Sequence, residues 1–203
     1  MDKSLSNRLL TLWMKSDISL NNYQNYLNRK ADRFELTIVD LLYISNFKGG
    51  NATINEEEKE LNIKLKSYSD IFVQIDNAFK NQTLEQLNDT EFEYLVDKIK
   101  VIIQLCQAKG TAIDGFKSSF LSALLHSYFP DLIPILDRRL LINLNLVKAT
   151  DLQKSRQVNK IEIFYPMLIT TIRNLCKSNR QTIRQIDKEY FIKKLPIWAI
   201  QNV

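Results

Sequence analysis

The sequence is poor in the residues that interrupt regular structure. Glycine and proline number four each among 203 residues, whereas all-β folds need many turn residues and long linkers need flexible ones. This scarcity argues against a β fold and favours helices. Because 45% of the residues are apolar, the chain can bury a continuous core, and we expect a single compact all-α domain over residues 1–203.

Long apolar runs and a secretory signal are also absent from the sequence. No stretch approaches the roughly 18 uninterrupted apolar residues that span a bilayer. The opening residues, MDKSLSNRLLTLWMKSD, contain no apolar run followed by a small-residue cleavage site. We therefore expect a cytoplasmic protein without a membrane partner.

Residues that bind metals or cofactors are few. The two cysteines, Cys106 and Cys176, lie among apolar neighbours without a second Cys or His at metal-ligand spacing. The sequence contains neither the four-cysteine cluster that binds iron and sulfur nor a Gly-rich phosphate loop. We expect two buried thiols, no metal cluster and no cofactor. The oligomeric state is not predicted.

Positive charge is concentrated in the second half of the chain. Residues 1–100 carry 13 Lys and Arg against 16 Asp and Glu, a net charge of −3, whereas residues 101–203 carry 15 against 7, a net charge of +8. A basic face of this size suits an anionic partner such as a phosphate backbone. A solvated basic surface has the same composition, so both interpretations stay open.

Apolar residues recur every three or four positions along most of the chain. The acidic run at 56–58 is typical of a helix start, Asp89 is expected to cap a helix, and Gly110 is expected to end it. Helices are predicted near 5–13, 34–43, 61–79, 95–109, 118–129, 138–146, 160–177 and 182–194. Residues 1–90 would form N-terminal helices, and 91–203 a second part of the same domain.

Residues 109–146 carry the strongest functional signal, through the order of their features. A helix end leads to Gly115, then to an apolar helix, a proline-flanked link, and Asp137 with two arginines behind it. Gly115 stands between apolar residues in a tight link, where a positive φ or close approach to another backbone demands glycine. In a DNA-binding hairpin the amides of such a turn point at a phosphate.

This segment resembles the helix-hairpin-helix and catalytic loop of the DNA glycosylase superfamily. The closer look-alikes are small bacterial members with a glycine turn followed by three short motifs. Here these read Ser122-Ala123-Leu124-Leu125-His126, Phe129-Pro130-Asp131 and Pro134-Ile135-Leu136-Asp137-Arg138. The late RQIDKEYF, residues 184–191, resembles their closing helix, whereas residues 1–90 add little to the likeness.

The resemblance implies a glycosylase-like core over residues 91–203, with duplex DNA bearing a flipped base as the partner. In that superfamily the aspartate matching Asp137 lies near the anomeric carbon and assists hydrolysis of the N-glycosidic bond, a step of DNA repair. Asp137 is therefore the predicted catalytic residue. It would also serve as the cap of a helix beginning at Arg138. A non-catalytic DNA-binding or interaction module, for example in phage defence, is the alternative function.

The likeness also implies which residues meet DNA. With Gly115 matched to the first hairpin glycine, Ser119 takes the place of the lysine that forms a Schiff base in bifunctional members, so we expect a monofunctional enzyme. Shifting the register to place Lys117 there puts the apolar positions out of phase. The expected DNA contacts are Gly115, Lys117, Ser118, Ser119, Arg138 and Arg139.

Two aromatic or imidazole side chains are candidates for the base pocket. His126, the only histidine, and Tyr128 follow the hairpin on the apolar helix. Each would contact a flipped base, or else pack in the core as such residues more often do. Two basic clusters, at 154–160 and at 173–184, suit either phosphate contacts or solvated helix faces.

Overall fold

A computed structural model of the chain describes residues 3–49, 53–155 and 157–201. Across these ranges the regular structure is helical, apart from two isolated β-bridges. The helices are α1 (Lys3–Leu27), α2 (Ile38–Phe47), α3 (Glu58–Phe79), α4 (Asp89–Leu105), α5 (Ser118–Tyr128), α6 (Arg138–Asn143), α7 (Tyr165–Asn179), α8 (Ile183–Ile192) and α9 (Ile197–Gln201). The predicted all-α class is confirmed. None of the described helices is long and apolar enough to cross a membrane.

The first two helices pack against each other, and the start of the second differs from the prediction. Helix α2 begins at Ile38 rather than near Phe34, because the carboxylate of Asp40 accepts a hydrogen bond from the Thr37 amide at 2.7 Å and fixes the helix start. As a result Leu41 and Ile44 are fully buried, whereas Ile38 is 44% exposed. The helical spacing of the apolar residues was predicted correctly, but the start of the helix was not.

Helices α3 and α4 follow the predicted apolar spacing, and both ends of α4 differ from the prediction. Asn88, rather than Asp89, caps α4 by accepting a hydrogen bond from the Glu91 amide at 3.0 Å. The helix ends at Leu105, well before Gly110, so the expectation that Gly110 ends it was wrong. The hydroxyl of Thr111 donates to the Leu105 carbonyl at 2.7 Å and satisfies one of the terminal acceptors.

Helix α5 lies at the centre of the core. Every residue from Leu121 to Tyr128 is buried, as the apolar composition on most faces predicted. It packs against α1 and α2 on one side and against a 3₁₀ turn, Ile161–Phe164, on another. The proline-flanked link then runs from Phe129 to Asp137 without regular structure.

The C-terminal helices close the fold onto its N-terminus. Helix α8 packs against α1, α6 and α7. One hydrophobic cluster therefore extends from Leu20 in α1 to Ala199 in α9. This closure brings residues from α1, the end of α2 and α8 together beside Asp137, although they are distant in sequence.

Candidate functional site

Asp137 occupies the N-terminal cap of α6 at the end of the proline-flanked link. Its Oδ1 accepts a hydrogen bond from the Arg139 amide at 2.7 Å. Its Oδ2 lies 3.6 Å from Nζ of Lys48, and the Asp137 side chain is 25% exposed. The cap interaction fixes the carboxylate, while the partial exposure leaves it accessible to a ligand.

The link before Asp137 is held by hydroxyl groups on α5. The Ser119 hydroxyl donates to the Leu136 carbonyl at 3.0 Å. The Ser122 hydroxyl accepts from the Leu136 amide at 2.8 Å and donates to the Ser119 carbonyl at the same distance. Ser119, expected as a DNA contact, thus has a hydroxyl that orients the residue preceding Asp137.

His126 also fastens the link. Its side chain is buried, and Nδ1 lies 2.7 Å from the Ile133 carbonyl oxygen, a geometry in which Nδ1–H donates. Burial lowers the pKa of His126 to about 4, and the charge of Arg184 acts in the same direction. The imidazole is therefore neutral at neutral pH and occupies the core, the second of the two alternatives considered for it.

Tyr128 is buried as well, in a polar cluster that joins α1, α2 and α5. Its hydroxyl lies 3.3 Å from Oδ1 of Asp40, and the same oxygen accepts from the Tyr23 hydroxyl at 2.8 Å. Lys30 pairs with Oδ2 of Asp40 at 2.8 Å, so the buried carboxylate is compensated. Burial raises the pKa of Tyr128 above its usual range. The structure places this side chain in the core, away from the surroundings of Asp137.

A cavity of about 490 Å³ opens beside Asp137, between α1, the end of α2 and α8. Aromatic side chains supply much of its apolar wall, and charged side chains line it as well. Its lining includes Trp13, Phe47, Lys48, Ile135, Asp137, Arg184, Asp187 and Phe191. The pocket predicted beside Asp137 by the catalytic hypothesis is present.

A second carboxylate, Asp187, faces the same cavity. Its Oδ2 pairs with NH1 of Arg184 at 2.7 Å, and the side chain is only 5% exposed. Burial raises the pKa of Asp187 to about 7 against the lowering effect of Arg184, and the negative charge of Asp137 adds to the rise. Arg184 also pairs with Asp17 at 2.8 Å and lies 3.8 Å from the centroid of the Trp13 ring. Asp187 therefore changes protonation near neutral pH.

A larger depression of about 950 Å³ shares Asp137 and Lys48 with this cavity. It is rich in positive charge, since five cationic residues line it against two acidic ones, Asp137 and Glu162. The cationic residues are Lys48, Lys117, Arg138, Arg139 and Lys160, and the first turn of α5 contributes Ser118 and Ser119. Five of the six predicted DNA contacts thus line one surface, the exception being Gly115.

Gly115 lies in the turn between α4 and α5, where another part of the chain covers it. Its φ is +76°, and a Cβ there would lie 2.2 Å from the carbonyl oxygen of Thr53. Both reasons predicted for a glycine are confirmed. The neighbouring Asp114 amide donates to a carboxylate oxygen of Glu56 at 2.8 Å, and Lys64 pairs with Glu56 at 2.8 Å. An anionic side chain of the protein itself therefore occupies this turn.

The predicted basic residues do not all lie on one surface. Arg139 lines the depression, although its guanidinium donates to the carbonyls of Phe191 and Lys193 at 2.7 Å and so also ties α6 to the end of α8. Arg173 lies elsewhere, buried and paired with Asp89 at 3.1 Å. Arg156 falls outside the described residues. Residues 173–184 therefore do not form one basic face.

Sequence reasoning missed Lys48 and Asp187. Lys48 follows α2 and shares no local pattern with Asp137. Asp187 carried a usable signal, because it lies one helical turn after Ile183 on the apolar face of α8, where a carboxylate is unexpected. Within the described part of the chain, no group of three or more His, Cys, Asp or Glu side chains is placed to hold a metal ion.

Across the described residues the fold is helical, and one capped aspartate lines both a cavity with aromatic side chains and a cationic depression. No family model, curated protein or solved structure matches the chain.

Proposed function

We propose that this protein is a monofunctional DNA N-glycosylase of the helix-hairpin-helix type, which hydrolyses the N-glycosidic bond of a flipped damaged or modified base. The position of Asp137 carries the proposal, because this residue lines both the cavity and the cationic depression. Base excision needs both surfaces at one carboxylate. The phosphate backbone requires cations, and the extruded base requires a walled pocket.

In this proposal the cavity receives the base and Asp137 faces the sugar. The aromatic walls from Trp13, Phe47 and Phe191 suit a flat heterocycle. As the C1′–N bond breaks, positive charge develops at C1′, and a fixed carboxylate stabilises it or accepts a proton from the attacking water. The cap interaction through Oδ1 leaves Oδ2 for this task.

Lys48 fits the same scheme as an anion-binding group. Its Nζ lies 3.6 Å from Oδ2 of Asp137, longer than a hydrogen bond, and it lines both surfaces. A phosphate of the bound strand would compete for this ammonium group and draw it from the carboxylate. Asp137 would then face the sugar without a paired cation.

A non-catalytic DNA-binding module on the same scaffold is the second candidate, and one observation favours it. Asp137 already has a partner at each oxygen, the Arg139 amide and Lys48. The amide of Asp114, in the turn expected to grip a phosphate, is bonded to Glu56, so either candidate would bind DNA through the cationic depression. In the second candidate the cationic depression would bind the backbone and no base would be released.

The test is base release from a panel of duplexes with damaged and modified bases, followed by alkaline cleavage at abasic sites. Asp137→Asn is the informative variant, because asparagine caps a helix as well as aspartate does and keeps the amide contact while removing the charge. We expect roughly 100-fold or greater loss of single-turnover rate, with unchanged unfolding temperature and unchanged DNA binding.

Asp131→Asn is the matched control, since Asp131 is an exposed carboxylate in the same link. It removes the same charge and should keep the wild-type rate. Equal rates of base release by the two variants would show that Asp137 does not take part in catalysis. If no duplex in the panel loses a base while salt-sensitive binding persists, the binding-module function replaces the enzyme.

A further inference from the structure

We infer that Asp187 is the general acid of this site, donating a proton to the departing base while Asp137 acts at the sugar. The inference rests on the proposed function and deepens it. Its basis is geometric, because two carboxylates from different elements, the cap of α6 and the buried face of α8, line one cavity. Bond cleavage at a sugar commonly uses two carboxyl groups in unlike environments, one acidic and one ionised.

The surroundings of Asp187 suit proton donation. The side chain is 5% exposed, and Arg184 holds Oδ2 at 2.7 Å. Oδ1 accepts no hydrogen bond from the described residues and belongs to a residue that lines the cavity. The charged groups that act on Asp187 are Arg184 on its own helix, Asp137 at the start of α6 and Lys48 after α2. On α1, Asp17 pairs with Arg184, and Lys15 lines the same cavity.

The balance of these charges keeps the proton available near neutral pH. Burial and the charge of Asp137 raise the pKa of Asp187 to about 7, while Arg184 and Lys48 oppose the rise. An acid in this range loses its proton readily to a leaving group and regains it from solvent. Asp137, which is more exposed and capped by an amide, lies in the opposite kind of environment.

The step is balanced as a hydrolysis. The C1′–N bond breaks with its electron pair going to the base, and the proton of Asp187 passes to a nitrogen or oxygen atom of that base. Water adds to C1′ and gives its proton to Asp137 or to solvent. Asp187 is reprotonated from solvent, and the products are the free base and an abasic sugar.

A comparison of leaving groups separates this function from a structural one. Hypoxanthine, uracil and 8-oxoguanine leave as anions unless they are protonated, whereas 7-methylguanine already carries a positive charge and leaves as a neutral base. Single-turnover release from duplexes with each base would be measured from pH 5 to pH 9 for wild type and variants. Hypoxanthine, uracil and 8-oxoguanine are uncharged while attached to the sugar, and we call them the neutral bases. We expect Asp187→Asn to slow their release roughly 100-fold or more and to leave the release of 7-methylguanine unchanged.

Asp131→Asn is again the control, because it removes an exposed carboxylate that does not line the cavity. It should leave both classes of base at the wild-type rate, and Asp187→Glu should restore part of the release of neutral bases. Equal loss of both classes in Asp187→Asn, or no loss at all, would overturn the inference and leave the function of Asp137 standing. Release of 7-methylguanine alone by wild type would overturn it as well.

The wild-type protein provides a second measurement if Asp187→Asn does not fold. The ratio of neutral-base to 7-methylguanine release should fall about tenfold per pH unit above the pKa of the acid, and a flat ratio would refute the assignment. If wild type releases no base from any duplex, the proposed function itself fails and the general acid with it. That outcome is distinct from base release that is independent of Asp187.

Discussion

At the scale of single residues, two buried groups have opposite effects on stability as the pH changes. Burial lowers the pKa of His126 to about 4 and raises that of Asp187 to about 7. His126 binds its proton less tightly in the folded state, so the stability that the neutral imidazole contributes is lost as the pH falls from the ordinary pKa of histidine toward about 4. Asp187 binds its proton more tightly when folded, so its contribution is lost as the pH rises toward about 7.

The first prediction follows for His126→Asn, which removes the titrating group and retains an amide able to donate to the Ile133 carbonyl. Relative to this variant, wild type should lose about 2 kcal/mol of unfolding free energy between pH 7 and pH 5. Urea unfolding at both pH values measures the difference.

Asp187→Asn serves as the opposite control, because wild type should gain stability relative to it over the same acidification. A difference in unfolding free energy between wild type and His126→Asn that does not change with pH would show that the pKa of His126 is the same in the folded and unfolded protein. Since the two groups oppose one another, the wild-type curve alone does not separate them.

At the scale of elements, the turn between α4 and α5 depends on the loop that precedes α3. Gly115 has a φ of +76°, and its missing Cβ leaves room for the Thr53 carbonyl. We predict that Gly115→Ala lowers the free energy of unfolding by roughly 2 to 3 kcal/mol, from left-handed backbone strain together with displacement of that loop. Urea unfolding measures the loss.

Gly110→Ala is the control in the same connection, since a Cβ at Gly110 would have no heavy atom within 4 Å. Its effect should be close to zero, or slightly stabilising through the unfolded state. Equal losses in the two variants would mean that loop packing is not what requires Gly115.

The elements themselves were largely predictable, because their apolar spacing is strong. α5 and the proline-flanked link were predicted near their observed bounds, since a run of buried residues followed by two prolines permits few other structures. The ends of α4 were predicted less well, because they depend on which polar side chains bond to the terminal backbone groups. Asn88 rather than Asp89 caps the start, and the helix ends at Leu105, whose carbonyl accepts from the Thr111 hydroxyl, rather than at Gly110.

The site was predictable only where it is local. Asp137, Gly115 and the first turn of α5 lie within one continuous segment, so their order could be seen in the sequence. The cavity wall comes instead from α1, the end of α2 and α8, and only tertiary closure brings these elements to Asp137. The contact of Glu56 with the Asp114 amide is of the same kind, a long-range pairing with no local signature.

At the scale of the whole molecule, only part of the positive charge of the C-terminal half lines the cationic depression, where Lys48 from the N-terminal half joins it. Lys48, Lys117 and Lys160 come from three separate segments and line it together. Other basic residues of the C-terminal half lie outside it, among them Lys177, which is exposed on α7. If the depression binds a phosphate backbone, only its own cations should release counterions on binding.

The last prediction compares Lys117→Gln with Lys177→Gln, two exposed lysines whose replacement changes the net charge equally. The affinity for a fluorescent duplex would be measured by anisotropy over a range of salt concentrations. Lys117→Gln should reduce the slope of log affinity against log salt by about 1, and Lys177→Gln should leave it unchanged. Equal reductions would indicate diffuse attraction over the whole basic half. No measurable binding of the duplex by wild type at low salt would exclude a phosphate backbone as the ligand and favour a protein partner.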